Sequence, residues 1–337
     1  MTIKKQTLNM TSDWDKTFPK SEKVDHEKVE FVNRYGVTLA ADLYRPKAIG
    51  DEPLAAIAVS GPFGAVKEQA SGLYAQELAE RGFLTIAFDP SFTGESGGFP
   101  RNVASPDINT EDFSAAVDYL STRADVDPNK VGILGICGWG GMAINAAAND
   151  LRIKATVAST MYDMSRVNAN GYFDAADSKE ARNALRKQLC EQRTKDYKNG
   201  EYKLARGLPD VCPDDALRYV KDYWGYYKTP RGYHERSLNS NEGWNVTSTL
   251  PFLNMPLLTY ADEIESAVLL IHGEKAHSRY FSDSTFKKLQ ENDKADYLYH
   301  NKNYIIVPGA NHTDLYDRKD KIPFDAIESF YKEYLNK

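Results

Sequence analysis

A cysteine stands where a chain turn could present a nucleophile. Residues 135–141 read Gly135-Ile136-Cys137-Gly138-Trp139-Gly140-Gly141. An apolar, strand-like run at 131–136 leads into Cys137, and a small-residue helical run at 139–149 leads away from it. A sharp strand-to-helix turn exposes one side chain above a sheet and needs small neighbours, which Gly135 and Gly138 supply. A thiolate held there could attack a carbonyl carbon, with the Gly138 N–H aimed at the developing oxyanion. The helix N-terminus beyond Cys137 is expected to lower the thiol pKa. The bland alternative is a buried structural cysteine, a common place for a free thiol.

That turn needs a sheet beneath it, and the pattern of the chain provides one. Strand-like runs at 29–33 and 37–44 meet at Tyr35-Gly36 and read as a hairpin. Buried-looking strands at 55–59, 83–88, 131–136 and 153–159 then alternate with helical stretches at 68–81, 109–122 and 139–149. In the second of these helices Phe113, Ala116, Val117 and Leu120 recur at helical spacing. The alternation breaks after Tyr162 and resumes with a strand at 267–273, a helix at 282–292, a strand at 304–308 and a helix opened by Pro323. Such alternation specifies a mostly parallel sheet covered on both faces, an α/β fold. Residues 1–25 read as an N-terminal arm on the surface. The core spans 26–161 and 266–337, and 162–265 is an insertion rich in tyrosine and tryptophan.

Composition narrows the function. The 337 residues include 42 basic and 48 acidic ones, a net charge of −6, with no basic block to displace counterions from nucleic acid. No stretch approaches the ~20 apolar residues of a membrane span, and no apolar run follows Lys4 and Lys5 to make a secretory signal. Three widely spaced cysteines, Cys137, Cys190 and Cys212, argue against a disulfide scaffold or zinc site and for a reducing cytoplasm. His272 and His277 are five apart, not the helical pair of a zinc protease. The glycines around Cys137 lack the spacing of a dinucleotide fingerprint. No metal or organic cofactor is implied.

The elbow, with three further segments in order, resembles the α/β-hydrolase superfamily, and within it dienelactone-hydrolase-like and Xaa-Pro-dipeptidyl-peptidase-like hydrolases. The segments are Ser60-Gly61-Pro62-Phe63-Gly64 after the third strand, 89–96 with its Asp89, Gly94 and Ser96 after the fourth, and Pro308-Gly309-Ala310-Asn311-His312 after the last. The resemblance covers about 29–336 without the insertion. It implies Cys137 as nucleophile, since the motif holds no serine, and His312 as base. It implies the Phe63 N–H as second oxyanion donor, because Pro62 has no N–H. The orienting acid usually follows the seventh strand, but Ala276 stands at its expected place. Glu274 is the first choice, Asp163 the second, and Asp283 and Asp314 are distant alternatives. Trp139 departs from the usual small residue and would either wall the site or shift the first helical turn. Tyr162, Arg279 and Tyr227 are further candidates for substrate contact, and the insertion is expected to act as a lid.

The expected activity is hydrolysis of carboxylic ester, lactone or thioester bonds through a Cys-His-acid triad and an acyl-enzyme. Acyl transfer and peptidase activity remain alternatives on the same fold. So does a non-catalytic, ligand-binding or redox-sensitive homologue, in which Trp139 would block the oxyanion site. The partner expected is a small acyl substrate, with neither nucleic acid nor membrane; a homodimer is left open.

Overall fold

The computed structural model describes residues 3–48, 50, 52–291 and 301–336; residues 1, 2, 49, 51, 292–300 and 337 lie outside it, among them the expected end of one helix at 292. The strands are β1 (Val24–Val32), β2 (Thr38–Pro46), β3 (Leu54–Ser60), β4 (Leu84–Phe88), β5 (Val126–Ile136), β6 (Ala155–Ser159), β7 (Ala267–Gly273) and β8 (Lys302–Val307). They form one eight-stranded sheet in the order β1-β2-β4-β3-β5-β6-β7-β8. β2 runs antiparallel to β1 and to β4, and β3 to β8 pair in parallel. The hairpin closes at Gly36, whose φ of 82° a β-carbon would disfavour.

The helices are α1 (Ala70–Ala79), α2 (Pro106–Ser121), α3 (Gly138–Asn149), α4 (Met164–Asn170), α5 (Lys179–Asn199), α6 (Arg218–Tyr227), α7 (Thr249–Phe252), α8 (Arg279–Leu289), α9 (Asp314–Asp317) and α10 (Phe324–Leu335). β4 lies on one side of β3 and β5 on the other. Right-handed crossovers therefore put α1 and α2 on opposite faces. α3 joins α2, whereas α10 returns to pack beside α1. Both faces of the central strands are covered, and β7, Ala267-Val268-Leu269-Leu270-Ile271, is buried throughout. The strand order reverses at β3, so a crevice opens at the carboxyl ends of β3 and β5, where α/β sheets bind ligands.

The N-terminal arm does not merely lie on the surface. Phe18 is buried, and Lys16 pairs with Asp42 at 2.9 Å, with both side chains wholly buried. Residues 160–266, between β6 and β7, carry α4 to α7. Within this insertion α5 starts at Ser178, whose hydroxyl accepts the Ala181 N–H, and ends at the left-handed Gly200.

Candidate active site

Cys137 caps α3 at the carboxyl end of β5 with φ 58° and ψ −127°, a left-handed conformation that costs a non-glycine residue about 1–3 kcal/mol. Three backbone hydrogen bonds of 2.9 Å hold it there. The Cys137 N–H donates to the Ser159 carbonyl, and its own carbonyl accepts from Gly140 and Tyr162. The glycines permit the turn sterically. A β-carbon on Gly135 would lie 2.5 Å from the Trp139 carbonyl carbon, and one on Gly140 2.6 Å from the Met161 β-carbon.

The Cys137 thiol is faced by the N–H groups of Gly138 and Phe63 and by the Tyr316 hydroxyl. The two N–H groups come from the elbow and from the loop after β3, as an oxyanion hole requires. Residues of the insertion clasp the second loop. Asn239 donates its side-chain N–H to the Phe63 carbonyl at 2.7 Å, and the Ser237 hydroxyl donates to the Gly64 carbonyl at 2.9 Å. Burial pushes the thiol above its ordinary pKa, outweighing the three hydrogen-bonding groups that favour the thiolate. The expectation of a lowered thiol pKa is thus corrected: Cys137 is 6% exposed, and desolvation outweighs the hydrogen bonds that favour the thiolate.

His312 follows β8 and is buried. Its Nε2 lies 2.9 Å from the Tyr316 hydroxyl, and its Nδ1 lies 2.6 Å from Ser278 Oγ and 2.8 Å from Thr160 Oγ1. Ser278 in turn meets His272 Nε2 at 2.8 Å, and His272 Nδ1 meets Ser282 Oγ at 2.7 Å. Among the described residues, no carboxylate hydrogen-bonds to His312 and no direct bond joins it to Cys137. Burial, with His277 and His272 nearby, holds the imidazole well below its ordinary pKa. Burial likewise lowers His272 to about 3 and His277 to about 4. The resting pair is a neutral thiol and a neutral imidazole.

The expected acids lie elsewhere. Glu274 is exposed, and its carboxylate accepts the Gly309 N–H at 2.7 Å, tying the loop after β7 to the loop after β8. Asp163 caps α4 by accepting the Arg166 N–H at 3.0 Å. Asp283 pairs with Arg279 and accepts from Tyr304, and Asp314 accepts the Asn311 N–H. Each carboxylate is taken up by its own loop or helix, and neither Glu274 nor Asp163, the expected orienting acids, hydrogen-bonds to His312.

The substrate candidates divide. Tyr162 and Tyr227 line a cavity of about 190 Å³ above Cys137, with Phe63, Met164, Tyr223 and Tyr316 among its walls. Trp139 points the other way: its ring packs edge-on against Phe88 and Phe113 at 6.0 and 5.6 Å in the core. An indole is apolar and large, and the space between α2 and the sheet takes it; it neither walls nor blocks the site. Arg279 is engaged by Asp283 at 3.3 Å and by the Glu274 carbonyl at 3.1 Å, away from the cavity. Arg231, from the insertion, pairs with Asp317.

Sequence reasoning missed Tyr316, Ser278, Thr160, His272 and Asn239. Tyr316 had only a weak signal: it follows His312 by four residues, but His312 lies in the turn before α9, so helical spacing does not place the two together. Ser278 and Thr160 had none, since an ordinary hydroxyl residue carries no mark of its partner. As to metals, one group of three acidic ligands exists among the described residues, Glu68, Asp89 and Glu95. The Lys67 ammonium occupies its centre, 2.6, 2.9 and 2.6 Å from the three carboxylates, and supplies the charge a cation would bring.

With this geometry in view, comparison with known proteins is informative. Residues 35–313 match the family model of the X-Pro dipeptidyl-peptidase (S15 family). PA2218 of Pseudomonas aeruginosa is 56% identical over 97% of this chain and 86% of its own length. The crystal structure of PA2218 aligns over 98% of this chain and 99% of that one, with a TM-score of 0.92. YcjY of Escherichia coli is 35% identical over 92% of this chain and 99% of its own. The α/β hydrolase GrgF from Penicillium sp. sh18 has the same fold, with a TM-score of 0.74 at 19% identity over 93% of this chain and 100% of its own. The chain belongs to the S15 X-Pro dipeptidyl-peptidase family of α/β hydrolases.

Proposed function

We propose that the protein is a cysteine-dependent acyl hydrolase that cleaves carboxylic ester, lactone or thioester bonds. The observation that carries this reading is the convergence on the Cys137 sulfur of two backbone N–H groups from separate loops, Phe63 and Gly138. Cys137 attacks the carbonyl, the two N–H groups hold the oxyanion, and His312 is the base. Water then cleaves the acyl-thioester. The insertion acts as a lid, since Tyr162, Met164, Tyr223 and Tyr227 all come from it and enclose the cavity. A curated thiohydrolase of Aspergillus aculeatus, 32% identical over 41% of this chain and 42% of its own, supports thioester chemistry.

Acyl transfer is the second reading, favoured by an acyltransferase of Aspergillus calidoustus that is 30% identical over 40% of this chain and 42% of its own. Peptidase activity has less support, because among the described residues no carboxylate lines the cavity to receive a peptide's terminal ammonium. The non-catalytic reading, argued from Ala276 at the usual place of the acid, loses the blocked oxyanion site, because Trp139 packs in the core. Free Cys137, Cys190 and Cys212 fit a reducing cytoplasm.

The test is turnover of p-nitrophenyl acetate and S-acetyl-N-acetylcysteamine, together with intact-protein mass spectrometry for an acetyl adduct. Wild type should hydrolyse at least one and carry the adduct, and Cys137→Ala should lose both. Hydrolysis retained by Cys137→Ala, or no adduct and no turnover across an ester and thioester panel, removes the reading.

A further inference from the structure

The base does not meet the nucleophile directly: a tyrosine hydroxyl stands between them. Tyr316 is wholly buried on the one-turn helix α9, with its hydroxyl 2.9 Å from His312 Nε2 and facing the Cys137 sulfur. On the far side of His312, the place of a triad carboxylate is filled by Ser278 and Thr160, and behind Ser278 stands His272. We propose that Tyr316 is a catalytic residue that relays the thiol proton of Cys137 to His312, and that Ser278 and Thr160 are the residues positioning His312. The proposal deepens the reading of Cys137 as nucleophile and rests on it.

The hydrogen bonds admit a consistent direction of transfer. Thr160 Oγ1 lies 2.8 Å from Nδ1 and 3.4 Å from the His312 carbonyl, so a threonine that donates to the carbonyl meets Nδ1 as an acceptor. In the tautomer that the relay uses, the ring proton sits on Nδ1, and Nε2 is free to accept. From Nδ1 the donors run one way: His312 to Ser278, Ser278 to His272 Nε2, and His272 Nδ1 to Ser282. Each group in the chain is buried and each bond is satisfied, which a preorganised network requires.

The S–H proton of Cys137 passes to the Tyr316 oxygen as the Tyr316 O–H proton passes to His312 Nε2. The electron pair left on sulfur forms the bond to the carbonyl carbon, and the carbonyl π pair moves onto the oxygen facing Phe63 and Gly138. Tyr316 ends neutral and His312 ends as imidazolium. On collapse the same path runs in reverse, and the proton returns through Tyr316 to the leaving oxygen or sulfur. The relay suits this site because, among the described residues, no carboxylate steadies a lasting imidazolium. Two short transfers coupled to the attack avoid a resting ion pair in a dry cavity.

The test is Tyr316→Phe, which keeps the ring and removes only the hydroxyl. With p-nitrophenyl acetate, kcat/KM should fall by ~100-fold, the size of a lost proton-transfer path, while KM changes little. Independently of any acyl substrate, iodoacetamide alkylation of Cys137 should slow and its pH midpoint should move upward, because a donor to the thiolate is gone. A proton inventory on wild type needs no variant: two protons in flight bow the dependence on deuterium fraction, and one leaves it straight. Tyr316→Phe with kcat/KM within twofold of wild type and an unmoved alkylation midpoint overturns the relay, as does a linear inventory. If wild type cleaves no ester or thioester, alkylation still decides the relay, so the two failures are distinguishable.

Discussion

Cys137 and His312 are neutral at rest, and that sets how the site answers to pH. The groups facing His312 are Tyr316, Ser278, Thr160 and the neighbouring rings of Tyr162, Tyr223, His272 and His277; none is charged. The active form has a neutral imidazole. A depressed histidine pKa therefore moves the acid limb of kcat/KM down, away from the ordinary ~6.5, and a raised thiol pKa moves the alkaline limb up, beyond ~8.5. The expected profile is flat from about pH 6 to pH 8. An acid limb centred near ~6.5 in a stopped-time assay would show that His312 is solvated during turnover. A second expectation concerns the nucleophile. With hydroxyls rather than a carboxylate behind His312, Cys137→Ser should be nearly inactive, losing ~10³-fold or more in kcat, because a hydroxyl is far harder to deprotonate than a thiol. Serine activity within tenfold of wild type would mean that the base is stronger than its surroundings indicate.

The loop after β3 owes its shape to the insertion as much as to the sheet. Gly64 has φ 85° and lies directly against the Asn239 side chain, while Asn239 and Ser237 bond the carbonyls of Phe63 and Gly64. Removing that clasp should loosen the Phe63 N–H without touching Cys137. Asn239→Ala is expected to lower kcat by ~10-fold, less than the ~10²–10³ of a lost oxyanion donor, because the N–H itself remains. Steady-state kinetics with a melting curve check this; unchanged kcat would assign Asn239 to packing alone. The strands and helices around this loop were legible because their periodicity and Gly-Pro punctuation are local. The clasp was not, since Asn239 and Phe63 are 176 residues apart.

A buried ionic network ties the arm, the sheet and the insertion into one body. Lys67 is fully enclosed by Glu68, Asp89 and Glu95; Lys28 reaches Glu95 at 2.5 Å, and Arg236 reaches Glu68 at 2.9 Å and Asp15 at 2.6 Å. Asp15 belongs to the arm and Arg236 to the insertion, so the network crosses all three parts. Desolvation opposes every ion in it, yet coulombic attraction holds the Glu68 carboxyl well below its usual range and lifts the Lys67 ammonium well above its own. Lys67→Met leaves three carboxylates short of a counter-charge and should cost about 3–5 kcal/mol of stability. Urea unfolding would register this as a lower midpoint; an unshifted midpoint would mean that Lys28 and Arg236 compensate. Lys67 stands four residues from Phe63, so the same network anchors the oxyanion loop.

Strand-helix alternation was enough to read an α/β fold, the glycines around Cys137 marked an elbow, and the resemblance of four short segments to α/β hydrolases pointed to Cys137, His312, Phe63 and Gly138. These are local signals: a turn needs its glycines, a buried strand its apolar run, and an elbow its place between strand and helix. The partners of the candidate acids, the direction of Trp139 and the thiol pKa were not legible in the sequence for one reason. Each depends on which side chains meet across loops distant in sequence, and on how much water those meetings exclude. Glu274 bonds Gly309 rather than His312, Trp139 packs against Phe88 and Phe113, and burial at Cys137 outweighs the hydrogen bonds that favour the thiolate. Tyr316 lies between these cases: its spacing from His312 is written in the chain, but its position between base and nucleophile exists only once β5 and β8 bring their carboxyl ends to the same edge of the sheet.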